Sequence, residues 1–339
     1  MKRRIALLAA VAFALPVVAQ AQGGSVSPSC SAAQQNLQDA CQKATDLFRY
    51  MSPQLGAVIA GGNTILGQGG ALGGLPHFTI GVRGTLLTGN LPKVDQNPPS
   101  INPGTPVASS YTTSTQILGF PAVDGAIGLF GGIPLGLTNV GGVDLLVNAA
   151  YVPTVTASNI AIKPNQSMQF GIGARLGLLQ ESILVPGVAL SYIHRGLPKT
   201  TITATSTAGS APGTVDTLQI QDLNLATNSW RLTASKSFIL FGLAAGVGQD
   251  KYSNSTNLYA SIYRNAPIIG VQNANGKFTA DAPMTRTNAF VDGYVSLLML
   301  KIVGELGMVS GGSMPTYNTF DKAADASRVY GSVGLRIGM

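Results

Sequence analysis

A chain of 339 residues that is 45% hydrophobic, only 10% charged and rich in glycine, with a mean hydropathy of +0.27, departs from soluble domains, in which about a quarter of the residues are charged. Helical membrane proteins are excluded next, because past the N-terminus no apolar run of about 20 residues is long enough to span. The longest uncharged stretch, Leu145 to Ile162, is broken by Asn148, Pro153, Thr154, Thr156 and Asn159. Only a closed barrel then satisfies every backbone group inside a bilayer.

The N-terminus has the form of a processing segment, residues 1–21. Lys2, Arg3 and Arg4 are a basic start, Ile5 to Val18 an apolar run, and Ala19-Gln20-Ala21 an A-x-A cleavage site. Without those three cations, 18 basic residues stand against 14 acidic ones, a net charge of about +4. No Lys/Arg cluster in the remainder suggests a nucleic-acid partner.

Cys30 and Cys41 are a disulfide candidate in an exported chain. Two arrangements stay open. If Ser31 caps a helix, the two lie too far apart along its axis; if Asn36 is the cap, Cys30 folds back onto the first turns and bonds.

From Ala33 to Met51 the apolar residues Ala33, Leu37, Ala40, Cys41, Ala44, Leu47, Phe48 and Met51 recur at helical spacing, with Asp39 and Lys43 paired at i,i+4. This helix is expected either as a plug in the barrel mouth or on its periplasmic rim. The glycine-rich stretch Leu55 to Leu75 reads as a hairpin in the wall or as part of the plug. Residues 22–75 thus form the lead-in, and residues 76–339 the barrel.

Beyond Pro76 the pattern has period two. Phe170, Ile172, Ala174, Leu176 and Leu178 share one face, with Gln169, Gly171, Gly173, Arg175 and Gly177 between them. Val188, Leu190, Tyr192 and His194 continue the pattern after the turn Gln180 to Gly187. One face is aliphatic and the other small or polar, as in a barrel with lipid outside.

Connections alternate in length. Ile133 to Gly142, Gln180 to Gly187, Phe238 to Leu240 and Met299 to Lys301 are short; Leu91 to Gln116, Asn265 to Pro283 and Gly311 to Ala326 are long. With a periplasmic N-terminus the long loops fall outside. The expected fold is an all-β transmembrane antiparallel β-barrel of ten strands, or twelve if Leu55 to Leu75 is in the wall. Val215 to Phe238 and Leu240 to Tyr263 exceed the crossing length and should project from the outer face.

The layout from residue 76 resembles a bacterial outer-membrane barrel. Its last strand, with Val329, Val333, Leu335, Ile337 and Met339 on one face, resembles the C-terminal signal read by the barrel-assembly machinery. The N-terminal helix, glycine-rich lead-in and projecting strands are similar in layout to the long-chain fatty-acid transporter family, with no residue motif carried over. The resemblance implies location in the cell outer membrane and outer-membrane lipid and the assembly machinery as partners.

Strand parity puts Arg83, Asp124, Asp144, Arg175, Arg231, Asp292, Glu305 and Arg336 in the lumen. They read either as a paired network filling a narrow lumen or as a polar path for a solute. Enzymatic chemistry is the competing class. His194 shares the lipid-side parity, Ser191 lies opposite, and His77 opens its strand at the periplasmic end, so no hydrolytic dyad is expected. No cluster suggests a metal site, and no cofactor is expected. The leading expectation is binding or passage of a small hydrophobic or amphiphilic ligand through a plugged barrel. The alternative is a structural or surface-interaction barrel with a filled lumen. Deleting Cys30 to Met51 is expected to open the pore.

Overall fold

The computed structural model describes residues 23–101, 104–157, 160–207, 210–266 and 270–338. The processing segment and Met339 lie outside them. The period-two segments form β1 Phe78–Pro92, β2 Thr113–Phe130, β3 Gly142–Tyr151, β4 Met168–Leu179, β5 Gly187–Gly196, β6 Asp216–Ser237, β7 Phe241–Ala266, β8 Gly270–Leu297, β9 Leu300–Ser310 and β10 Arg328–Gly338. Each pairs antiparallel with the next, and β1 pairs with β10 from Thr79↔Gly338 to Leu87↔Tyr330, so the sheet closes. The wall therefore has ten strands among the described residues. Leu55 to Leu75 contributes none of them.

Short turns gather at one end and long connections at the other, which by the rule for outer-membrane barrels sets the short end toward the periplasm. At the long end, Val155–Ala157, Ile160–Pro164 and Thr200–Ser206 extend the sheet against the upper part of β6. The expectation that Asn265 to Pro283 is a long loop is corrected. Most of it is strand, with Tyr263↔Asn273 through Ser253↔Pro283 in register.

That misreading has a physical cause, because the apolar face changes sides along the long strands. Near the short turns the outward residues are apolar, for example Leu243, Val247, Val291, Val295 and Leu232, while Thr227, Ser229, Arg231, Asp250, Asn288 and Asp292 are buried inside. Farther up, Leu225, Leu258, Ile262, Phe278 and Met284 face inward and Lys251, Ser253 and Ser255 outward. The change runs level across the wall, since Thr227 pairs with Tyr252 and Tyr252 with Met284. Below that line the barrel is built for lipid, and above it the strands make a cup with an ordinary apolar core. Tyr151, Tyr192 and Trp230 stand exposed near this level, where amphipathic rings mark a membrane interface.

The cup holds the N-terminal segment. Helix α1 runs Gln38–Ala60, starting later and ending nine residues beyond the expected Met51, through Pro53. Pro53 removes one intrahelical bond, yet burial on nearly all sides of the helix from Asp39 to Ala60 keeps it continuous. Phe48, Tyr50 and Leu37 pack with Leu258, Phe278 and Tyr252 in one core. Cys30 and Cys41 are joined, with Cα atoms 5.3 Å apart. The cap of the helix is Leu37, not Asn36 or Ser31.

The direction of threading corrects a second expectation. β1 starts at the short-turn end, but the described N-terminus lies at the long-loop end, where Gly24 N–H donates to Thr316 O (3.1 Å) and the Ser29 hydroxyl to Thr279 O (3.1 Å). The chain enters from the outer mouth, descends as α1, and continues through the lumen to the opposite rim. There Leu72 N–H meets Asp144 (3.1 Å) and His77 N–H meets Gly74 O (3.0 Å).

Candidate functional site

All eight charges assigned to the lumen by parity are inward and buried. Arg83 pairs with Asp124 and Arg175 with Asp144 (2.7 Å), each between adjacent strands; Arg231 reaches Glu305 (3.5 Å) across the lumen. Most of their remaining capacity goes to the backbone of residues 60–72 rather than to other charges. Arg231 donates to Ala60 O (2.6 Å), Arg83 to Gly61 O (2.5 Å), Arg336 to Leu66 O (2.8 Å) and Arg175 to Gln68 O (3.2 Å). Glu305 accepts from Gly62 N–H (3.1 Å), Asn63 N–H (2.8 Å) and the Tyr330 hydroxyl (2.6 Å). Asp292 accepts from Asn63 Nδ2 (3.0 Å) and Gly67 N–H (3.3 Å).

Sequence parity left out Arg195, whose guanidinium donates to Ala60 O (2.8 Å) and Thr64 Oγ1 (2.9 Å). It shares the inward face with Ala189 and Ser191, which was the available signal. Asp250, Arg286 and Arg328 are likewise inward and buried. Asp250 accepts from Asn288 Nδ2 (2.8 Å), and Arg286 donates to Asp325 O and Ala326 O (2.9 Å each).

The arrangement is a helix terminus closed by cations. The last carbonyls of α1 have no intrahelical donors, and Ala60 is fully buried. Arg195, Arg231 and Arg83 supply those donors, and their charge also suits the negative end of the helix dipole, worth up to about 2 kcal/mol in partly buried geometry. Glycine permits the fit at Gly62, whose φ is +79° and where a Cβ would stand 2.6 Å from Arg83 Nη1. Two cavities left beside the plug, one by Arg83 and Arg336 and one by Arg175 and Ser191, measure about 20 Å³ each, room for a water and little else.

An enlarged space lies higher. A cavity of about 260 Å³ opens between the outer half of α1 and the cup, lined by Ala40, Ala44, Leu47, Pro98, Leu218 and Ile262 among others. Of the charged groups at its edge, Lys43 and Asp216 are paired and Asp95 stands exposed. Lys43 bridges Asp39 (2.9 Å) and donates to Pro98 O (3.2 Å), and Asp216 bridges Arg264 (2.7 Å), which also holds Pro99 O (2.8 Å). Larger hollows of about 490 and 580 Å³ lie on the outward apolar face and belong to the lipid contact.

The two histidines take separate places on the wall. His194 is exposed on the outer face with Nδ1 2.9 Å from Asn228 Oδ1, while the Ser191 hydroxyl donates to Arg231 O (3.4 Å). His77 Nδ1 lies 2.9 Å from Gly74 O at the rim.

No family model matches the chain, and no curated protein matches it. Among solved structures it is similar to the transport unit of the autotransporter AIDA-I from Escherichia coli, at 7% identity over 91% of this chain and all of that one, with a TM-score of 0.27. It is also similar to an anion-selective porin from Comamonas acidovorans (13% identity, 78% and 98% covered, TM-score 0.18) and to OmpT of Vibrio cholerae (9%, 77% and 97%, TM-score 0.15). Scores this low carry no argument. The chain is an outer-membrane β-barrel on its own register: ten closed antiparallel strands, apolar outward and polar inward through the bilayer.

Proposed function

We propose that this barrel binds a small, neutral, mainly apolar solute in the pocket between α1 and the cup, on the outer side of a sealed lumen. The pocket carries this reading: it is concave and mostly apolar, Lys43 and Asp216 at its edge are held by Asp39 and Arg264, and Asp95 stands exposed at its edge. An anionic ligand would have to break one of those pairs and would meet the Asp95 carboxylate, whereas a neutral solute gains from leaving water. Onward passage requires residues 60–72 to leave their arginine partners.

The test is titration of the purified full-length protein with N-phenyl-1-naphthylamine, a neutral fluorescent probe, against Ala44→Phe, which fills the pocket. Binding that falls about tenfold or more in the variant supports the proposal. Equal binding by both proteins contradicts it.

A second reading, a structural or surface-interaction barrel, is favoured by the two small cavities beside the plug. On that reading the long connections, such as Leu91 to Gln116, meet an external partner and the probe does not bind.

A further inference from the structure

The short-turn end of an outer-membrane barrel ordinarily stands in water, yet here its turn tips are aliphatic. Ile183 is 93% exposed, Ile239 97% and Leu298 99%; Leu75, Leu135 and Leu137 are exposed as well. We propose that these turns are immersed in the inner leaflet of the outer membrane, so that the barrel ends inside lipid rather than in the periplasm.

Continuity with the lipid face is the first argument. The tips prolong the outward apolar columns Phe78 to Leu86 and Leu297 to Ala289, and the one charge of outward parity below Ile239, Lys236, is turned onto the carbonyls of Ser182 and Ile183. Nine residues of tilted strand rise about 23 Å, close to the apolar band of about 25 Å on an outer-membrane barrel, and the aliphatic turns carry that band beyond the last strand residues.

The backbone of the turns supplies the second, since groups in lipid need internal partners. Lys236 Nζ donates to Ser182 O (2.5 Å) and Ile183 O (2.7 Å), and Glu181 accepts from the Ser235 hydroxyl (3.1 Å) and from Ser237 N–H. Ile133–Leu135 and Thr138–Val140 pair as a small hairpin, Thr138 Oγ1 donates to Gln180 O (2.5 Å), and Phe238 N–H donates to Phe241 O (2.7 Å).

Ring chemistry supplies the third. The outer interface carries exposed Tyr151, Tyr192 and Trp230 beside Phe170, whereas the exposed rings near the short turns are Phe78, Phe130, Phe238 and Phe241, with the His77 imidazole turned to Gly74 O. Phenylalanine has no polar handle to hold at a water boundary. That boundary therefore lies past these rings, at or beyond the turn tips.

The native cysteines are bonded to each other, so Ile183→Cys, Ile239→Cys and Leu298→Cys each offer one thiol for a nitroxide. Full-length protein in phosphatidylethanolamine vesicles is compared with Lys251→Cys, on the polar outer surface of the cup. Immersed tips collide with oxygen and show nickel-chelate collision at least tenfold below the Lys251→Cys control. Nickel collision equal to the control overturns the proposal, and so do tips that are wet in vesicles but shielded in native membranes, which would mean a protein partner. If a cysteine variant fails to fold, Leu298→Trp in a Trp230→Phe background reads the same environment. Quenching by brominated acyl chains supports immersion, and its absence overturns it.

Discussion

Glu305 sits where four hydrogen bonds meet, from Gly62 N–H, Asn63 N–H, the Tyr330 hydroxyl and Arg231. Truncating it leaves a buried guanidinium unpaired and two plug amides without acceptors. Breaking a buried pair from one side costs about 3–5 kcal/mol, so Glu305→Ala should lower the urea midpoint of folded, fast-migrating protein much more than Glu305→Gln, which keeps one acceptor oxygen. Equal midpoints for wild type and Glu305→Ala would contradict the assigned contacts.

Asp46 lies in the cup, outside the membrane-spanning part of the barrel. Asp46 on α1 accepts from Asn318 N–H (2.8 Å), Asn318 Nδ2 (2.7 Å) and Gln42 Nε2 (3.0 Å), and burial nonetheless holds its carboxyl above the ordinary value of 3.8. A raised folded pKa means that its contribution is fully present below the ordinary carboxylate value and is lost as pH rises through the raised one. The melting-temperature advantage of wild type over Asp46→Asn should therefore be larger at about pH 4 than at about pH 8. The reverse order would contradict burial as the cause.

The lumen charges were legible because alternation needs only parity, and a charge is too costly on the lipid face. What they bind was not legible. The composition gives equal numbers of cations and anions at those eight positions, which reads as mutual pairing, whereas Arg336, for example, turns to the carbonyl of Leu66. Backbone acceptors leave no trace in side-chain patterning.

At the scale of elements, α1 and the chain after it divide the work of filling the barrel. The outer half packs in the cup with Leu258 and Phe278, and residues 60–72 close the part of the lumen that crosses lipid. Deletion of Cys30 to Met51 therefore removes cup contents but leaves the seal, contrary to what the sequence suggested. For truncated protein that still shows heat-modifiable migration, planar-bilayer conductance should stay at the level of the intact chain. A rise would place the seal in the outer half of α1. The helix was visible as a periodic stripe, but its end was not, because Ser52-Pro53 reads as a stop when the packing around it is unknown.

At the scale of the molecule, one sheet serves two environments. Within the bilayer its apolar side faces out; in the cup the same strands turn that side inward onto α1. The class of fold and the long-short alternation of most connections were legible, since each rests on local period and turn chemistry, while the choice between ten and twelve strands turned on Leu55 to Leu75, which local pattern left open. The upper reaches of β7 and β8 were not, because an apolar face that changes sides mid-strand breaks the parity and resembles a loop. The path of the N-terminal segment was also hidden, as no local pattern says from which mouth a plug enters.

That path is the centre of the account: the chain enters the barrel from the long-loop mouth and leaves at the short-turn rim. Gly23 has open space around it, and Gly24 is held at Thr316. An epitope inserted between Gly23 and Gly24, probed with antibody on intact cells and again after the outer membrane is breached, tests it directly. The structure predicts full labelling of intact cells. Labelling that appears only after the membrane is breached would put the N-terminal segment on the periplasmic side and contradict the threaded plug.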